Sequence, residues 1–420
     1  MEKVKKQYGL WTGIAMVVGI VIGSGVFLKA GGVLTLAGGD LKISILAWFV
    51  GGLIMVCSGF CFAIYATKVS KYNGVVDYVE QATNKKVGYG LAWLITTVYY
   101  PIIAGYFQVS TTVIKLIPIL VIAVAGLFAS LIVGDGAGIG NAFANPALGL
   151  DVNFGEAVKK TAFAYEGWVC ATAINAELKD SKKNLPRALV IGTIAILLFY
   201  IVYYISLSAF LGNAGTIIQD ANAPIAVFEK IMGTIGGAIF TVFIMISCLG
   251  TVNGVAMSCC RGMYTMSCRG QGPAPEKFSK LGRNQSVSLL SCLYGLGCMI
   301  LMLGVWYLAM HGVWIFKYLG SMDEIVCAII YGVYITMYIY IMKTFKDCNV
   351  FQRFVMPIVA IIGSLFFVIC GTGVYQLIAS GFKDWESLKA FGVFLLLFVV
   401  LMAPCLFFYN EGKHKEVSEN

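Results

Sequence analysis

Apolar runs of bilayer length recur along this chain and constrain its fold more than any other feature. They lie at 10–33, 43–66, 87–134, 188–211, 234–258, 287–309, 322–342, 354–377 and 388–409, with a shorter, more polar one near 156–176. One passage through the hydrocarbon core takes about 20 apolar residues. The runs are continuous rather than alternating, so the solvent for most of the chain is lipid. Lipid offers no partners to backbone N–H and C=O groups, which restricts such spans to helices. The expected fold class is therefore an all-α polytopic membrane protein. Composition agrees: 59% of residues are hydrophobic and 12% charged, about half the charged share of a soluble domain, which excludes a large water-soluble enzyme core.

The formal charge of +9 does not point to nucleic acid, because the basic residues sit in short clusters between apolar runs. The clusters are Lys3, Lys5 and Lys6; Lys68, Lys71, Lys85 and Lys86; Lys179, Lys182, Lys183 and Arg187; Arg261, Arg269, Lys277, Lys280 and Arg283; Lys343 and Lys346; and Lys413 and Lys415. The positive-inside rule produces this distribution. With every cluster in the cytoplasm, a pair of crossings separates each from the next. The expectation is a multi-pass protein of the cell (plasma) membrane with both termini cytoplasmic. The basic start precedes an apolar run long enough to span and lacking a small-residue cleavage site, so no cleavable signal is expected.

One stretch departs from this scheme. Lys85 and Lys86 start the 87–134 run inside, and the 156–176 segment must enter from outside to reach Lys179 inside. The intervening run must cross an odd number of times, yet it is long for one crossing and short for three, which need roughly 60 residues.

Three motifs can carry chemistry. In Gly19-Ile-Val-Ile-Gly-Ser-Gly-Val-Phe27 three glycines fall within seven residues, each lowering helix stability by about 1 kcal/mol relative to alanine. That favours an unwound stretch at mid-membrane, tolerated where it lines a cavity. A half-helix starting after the break presents free N–H groups and a positive dipole end to a carboxylate. The alternative is an intact helix using Gly19 and Gly23 as a packing face. The second motif, Thr161-Ala-Phe-Ala-Tyr-Glu-Gly-Trp168, places Glu166 beside Gly167 in a short segment. A charge there costs a few kcal/mol unless it faces a cavity or partner, or lies at the membrane surface. Paired Gly-interrupted segments in two halves of a chain point to a transporter site. Third, Lys115 is either a snorkelling interfacial lysine or a buried cation standing where an ion binds elsewhere.

Other candidates carry little. Gly134-Asp-Gly-Ala-Gly-Ile-Gly140 does not fit a dinucleotide fingerprint and reads as an external loop. The 13 cysteines are scattered without a C-x-x-C pair, and the two histidines, His311 and His414, lie far apart. Neither a metal site nor a cofactor is expected. No catalytic constellation is present, so the chain is not read as an enzyme.

Gly23-Ser-Gly-Val-Phe27, Phe163-Ala-Tyr-Glu-Gly-Trp168, the Glu177-Leu to Asn184-Leu-Pro-Arg187 loop and Ser247-Cys-Leu-Gly-Thr-Val-Asn-Gly254 with Arg261 and Tyr264 together resemble the amino acid–polyamine–organocation superfamily. Within it they are similar to the L-type amino-acid transporter branch. The resemblance implies a LeuT-type fold: two inverted repeats of five helices, two extra helices, and alternating access around broken helices one and six. The whole of 1–420 would be one transmembrane domain, with a shortened first repeat at 1–134, a second repeat at 150–345, two additional helices at 350–410 and a cytoplasmic tail at 411–420.

The resemblance further implies a substrate carboxylate on the N–H groups around Gly23, Ser24 and Gly25. The α-amino group would lie on carbonyls near Ile20, Val21, Phe163 and Ala164. Tyr165, Glu166 and Asn253 line the same site, Phe163 serves as an aromatic gate, and Lys115 substitutes for an ion. Against that pattern the chain lacks the region of helices three and four between Tyr99-Tyr-Pro-Ile-Ile103 and Val109-Ser-Thr-Thr-Val-Ile-Lys115. The shortfall is roughly 50 to 60 residues, about two crossings with their connections.

The expected function is a secondary transporter of L-amino acids, working as an exchanger or with protons. The alternative is a transport-inactive, amino-acid-binding membrane protein or degenerate paralogue. The expected partners are a small-molecule amino acid, the lipid bilayer and protons; nucleic acid is not expected and no oligomeric state follows.

Overall fold

The computed structural model describes residues 8–23, 25–69, 74–101, 112–134, 136–147, 149–281, 288–319, 322–371, 374 and 385–409. The described chain is helical, with two isolated β-bridges. In order come α1 (Leu10–Val21), α2 (Gly25–Leu28), α3 (Ala30–Leu36), α4 (Leu41–Lys68), α5 (Val75–Ala82) and α6 (Lys85–Leu94), which continues as a π turn, Ile95–Tyr99. Next are α7 (Thr112–Leu127), α8 (Ala129–Val133), α9 (Ile139–Ala144), α10 (Phe154–Ala164) and a 3-10 helix, Trp168–Glu177. Then follow α11 (Ser181–Leu211), α12 (Asn213–Gln219), α13 (Ala223–Met232), α14 (Thr234–Cys268) and α15 (Pro275–Phe278). The last are α16 (Leu289–Met310), α17 (Met322–Thr344), α18 (Met356–Gly371) and α19 (Trp385–Phe408).

Seven helices among the described residues are long and apolar enough to cross a membrane, and Leu116–Leu127 and Thr234–Ser247 are shorter apolar helices. The chain is an all-α, multi-pass membrane protein.

Local chemistry starts several of these helices. Asp40 caps α4 by accepting from the Lys42 N–H at 2.7 Å. Asn84 and Asn153 do the same for α6 and α10, accepting from Val87 at 3.0 Å and Glu156 at 3.2 Å. Each oxygen satisfies a first-turn donor that has no intrahelical acceptor. Two helices outrun their apolar stretches. α11 begins at Ser181, so Lys182, Lys183 and Arg187 lie in its first turns rather than in a loop, and α14 continues to Cys268 through Arg261. Hydropathy ends where lipid ends, whereas backbone hydrogen bonding continues into water.

α4 and α11 pack along their lengths at the centre, with α1, α7 and α10 against them. The described members of the basic clusters converge on one side. There Lys68 pairs with Asp347, Arg269 with Asp77 and Glu80, the Lys86 ammonium lies 6.0 Å from the Tyr409 ring, and the Lys179 N–H donates to the Tyr8 carbonyl at 2.8 Å.

The abnormal 87–134 run resolves into two displaced pieces. α6 runs along the basic side: the Trp93 indole N–H donates to the Leu401 carbonyl at 3.0 Å, and Thr96 lies against Gly262 and Met266 near the end of α14. α7 runs along the opposite half of α11, where the Ser206 hydroxyl donates to the Ala123 carbonyl at 3.4 Å. Beyond α8, the Gly138 N–H donates to the Ala209 carbonyl at 2.8 Å. Residues 102–111, which include the expected junction from Ile103 to Val109, are outside the described residues.

Candidate functional site

The first apolar segment is broken where its glycines cluster. α1 stops at Val21, Ile22 takes a non-helical ψ of 85°, and the Gly23 N–H turns back to the Val21 carbonyl at 2.8 Å. The helix restarts at Gly25. Of the two readings of Gly19 and Gly23, the broken helix is the one observed; Ser24 lies outside the described residues. The 156–176 segment is broken likewise. α10 ends at Ala164, residues 165–167 form a turn, and a 3-10 helix starts at Trp168.

These two broken segments lie antiparallel. The start of the first meets the end of the second through the Tyr8–Leu178 bridge. The end of the first meets the start of the second through the Ala37–Val152 bridge, where the Asn153 N–H donates to the Leu36 carbonyl at 2.7 Å. Their breaks coincide between these ties. A Cβ added to Gly25 would stand 3.0 Å from the Ala164 Cα, and one added to Gly167 would stand 2.8 Å from the Ile20 Cγ2. Gly167 also has φ of +107°, a conformation that side-chain-bearing residues resist. Glycine at both points lets the two unwound backbones touch.

α11 binds both breaks at once. The Tyr200 hydroxyl lies 3.0 Å from the Val21 carbonyl and 3.0 Å from the Ala164 carbonyl. One hydroxyl has one proton to donate, whereas two carbonyls offer four lone pairs. Acceptor capacity for a further donor, such as an ammonium group, therefore remains at the breaks. One turn further, the Tyr204 hydroxyl sits between the Ala30 carbonyl at 3.2 Å and Ser44 Oγ at 2.9 Å. Trp48 on α4 packs edge-on to Tyr165 and Tyr200 and tilted against Tyr204, with ring centroids 5.6–5.7 Å apart.

Tyr200→Phe should therefore lower stability by about 1–3 kcal/mol, the cost of leaving a buried acceptor without its donor. Thermal melting of the purified protein measures it, and an unchanged melt would mean that the hydroxyl does not hold the breaks together.

The expected site residues divide into groups. Ile20, Val21, Gly23, Gly25, Phe163 and Ala164 are brought together and buried. The Lys29 ammonium lies 5.5 Å from the centroid of the Phe163 ring. Tyr165 is beside the break in sequence, but its ring is turned into α4 and its hydroxyl donates to the Trp48 carbonyl at 2.9 Å. Glu166 is buried inside the protein, with 6% of its area exposed. Its carboxyl faces the scaffold, accepting from the Tyr99 hydroxyl, with Tyr331 beside it. Lys115 and Asn253 lie on α7 and α14, and their side chains are outside those described.

The sequence reading missed Trp48, Tyr200, Tyr204 and Tyr331. Tyr200 and Tyr204 carried a usable signal: hydroxyls four residues apart in an apolar helix share one face and need acceptors there.

Comparison with known proteins places this architecture. The profile of the family described as amino acid permease matches residues 8–109 and, in a second segment, 101–416. The serine/threonine exchanger SteT of Bacillus subtilis is 31% identical over 319 residues, covering 66% of this chain and 71% of that protein. The Asc-type amino acid transporter 1 of Homo sapiens is 22% identical over 368 residues, 75% of this chain and 69% of that protein. The large neutral amino acids transporter small subunit 2 of Homo sapiens is 25% identical over 323 residues, 64% of this chain and 59% of that protein. With a profile spanning nearly the whole sequence and an exchanger matched at this identity and coverage, the chain belongs to the amino acid permease family, within the amino acid–polyamine–organocation superfamily.

Proposed function

We propose that this protein is a secondary transporter moving L-amino acids across the cell membrane by alternating access, as an exchanger or together with protons. The observation that carries the reading is the meeting of two helix breaks at one buried point, with carbonyl acceptors of both segments gathered there. A free amino acid presents an ammonium and a carboxylate on one carbon. The carbonyls at Ile20, Val21, Phe163 and Ala164 suit the first, and the N–H groups from Gly23 through Ser24 to Gly25 suit the second. Tyr165 and Glu166 contribute backbone alone, since their side chains are turned away. Phe163 closes over the substrate, Asn253 adds a polar contact from α14, and Lys115 stands in for a coupling ion.

The names of the relatives support amino acids as the substrate class, serine, threonine and large neutral amino acids among them. The antiparallel lie of the two broken segments supports an inverted-repeat, LeuT-type arrangement, with the repeats at 1–134 and 150–345, the additional helices at 350–410 and the tail at 411–420. The gathering of basic clusters on one side supports a plasma-membrane topology with cytoplasmic termini.

The test is exchange of labelled serine, threonine and large neutral amino acids by the purified protein in liposomes. Neither exchange nor binding with any of them would sink the reading. Phe163→Ala should lower uptake roughly ten-fold, equivalent to about 1.4 kcal/mol and within the cost of one lost aromatic contact. Unchanged kinetics would remove Phe163 from the gate.

A second reading, a transport-inactive amino-acid-binding protein, is favoured by one observation. The family profile matches in two segments that meet at 101–109, the stretch where the resemblance implies that the region of helices three and four is missing. Binding without exchange would select it.

A further inference from the structure

Glu166 sits in the turn that breaks the second segment, between two anchored neighbours. Before it, Tyr165 is fixed by its hydrogen bond to the Trp48 carbonyl. After it, Gly167 is pressed against Ile20 in a backbone conformation that only glycine takes easily. The carboxyl accepts from the Tyr99 hydroxyl through Oε1, with the Gly167 N–H and the Tyr331 hydroxyl beside it, while Oε2 is buried without a hydrogen bond of good geometry among the described residues.

Among the described residues, the titratable groups facing it are neutral acids: Tyr99 on the π turn, Cys170 on the 3-10 helix, and Tyr331, Tyr334 and Tyr338 on α17. The elements pressing on the turn from the other side present Ile20 from α1, Trp48 from α4 and Tyr200 from α11. None of these groups is a cation. An ionised carboxylate kept from water without a cation is costly. The acid form removes that charge and gives Oε2 a proton of its own to donate.

Resting on the transport reading above, we infer that Glu166 is the proton-carrying site of the transporter. It takes up one proton when the break opens toward the acidic side and gives it up when the break opens toward the other. The balance is simple: a carboxylate and one aqueous proton become a carboxylic acid, and the reverse follows on release. Coupling arises from position. α10 cannot rotate against the 3-10 helix without changing the torsions of residues 165–167, and those torsions set what the carboxyl faces. The substrate meets the backbone of the same turn through Phe163 and Ala164, so substrate and proton act on one hinge.

The full-length protein is tested in liposomes with the membrane potential clamped at zero by potassium and valinomycin. Amino acid is added on the side made more acidic by one pH unit. One proton per amino acid sustains roughly ten-fold accumulation in the wild type at that gradient. Glu166→Gln keeps the shape of the group but cannot titrate, so accumulation should fall to the level without a gradient, whereas Glu166→Asp, which still titrates, should keep part of the response. A lumenal pH dye gives a second readout on the wild type alone: inward amino-acid flux should acidify the lumen.

Three results would overturn the assignment while leaving transport intact: exchange in the wild type that ignores the gradient, a lumen that does not acidify, or a gradient response that Glu166→Gln retains. Loss of all binding and exchange in the wild type would instead overturn the transport reading itself.

Discussion

Replacing Arg269 with alanine is expected to lower stability by about 3–5 kcal/mol, the cost of breaking a buried ion pair by removing one partner. Arg269 follows the last residue of α14 and is 7% exposed. One guanidinium nitrogen pairs with Asp77 and the other with Glu80 at 3.2 Å, so a single fork gathers two carboxylates from one face of α5. Without it, two like charges three residues apart remain in a site largely closed to water. Their separation cannot relax freely, because α5 is also held by Tyr78, whose ring stacks on Tyr65 at 5.2 Å and meets Phe62 edge-on at 5.9 Å.

The check is a thermal melt of the purified protein with a double-mutant cycle. Arg269→Ala should be the worst of the set. Arg269→Ala with Asp77→Asn should recover part of the loss, since the second change removes one of the two like charges. Arg269→Lys should fall between, keeping charge without the two-pronged geometry. Melting of Arg269→Ala equal to the wild type would show that the network contributes nothing net.

The second large effect is expected at Gly167. Gly167→Ala meets two penalties together. A side-chain-bearing residue at φ of +107° is strained by about 1–3 kcal/mol. The new methyl would also lie 2.8 Å from Ile20 Cγ2, an overlap typically costing a further ~1–3 kcal/mol. Ile20 is β-branched and stiff at χ1, so it gives way poorly. The turn must shift, carrying Phe163 and Ala164 with it, and amino-acid binding should weaken at least ten-fold, or about 1.4 kcal/mol. Pairing Gly167→Ala with Ile20→Ala relieves the overlap and leaves the backbone strain, so it should restore part of the affinity. Wild-type binding by Gly167→Ala would mean that the contact between the breaks has no bearing on the site.

Both weak points were legible in the sequence because their cause is local, although the choice between a break and a packing face at Gly19 and Gly23 was left to the structure. Glycines in an apolar run weaken the helix wherever the run sits, and a glutamate beside Gly167 calls for a special environment. The 87–134 run was legible as an anomaly only. Charge parity called for an odd number of crossings, but that α6 lies beside α14 and α7 beside α11 depends on which neighbours each piece finds. The direction of Tyr165 and Glu166 was not legible either: adjacent residues in a turn point apart according to torsions that Trp48 on one side and Tyr99 on the other hold in place.

By itself, the sequence determined that the chain lives in lipid as helices, which ends carry the basic clusters, and where two of its segments are weakest as helices. Each follows from a free energy that a residue or a short window has on its own: transfer into hydrocarbon, attraction of lysine and arginine to one face of the membrane, and the helix cost of glycine. The tertiary structure alone decided that the two breaks meet in antiparallel register, that Tyr200 joins their carbonyls, that Arg269 finds Asp77 192 positions away, and that Glu166 faces tyrosines instead of the substrate. Lipid is as apolar as the faces it covers, so burial gives little preference among helix neighbours. That choice falls to close approaches at small residues and to the few polar groups that must find partners, and these become visible only once the helices are assembled.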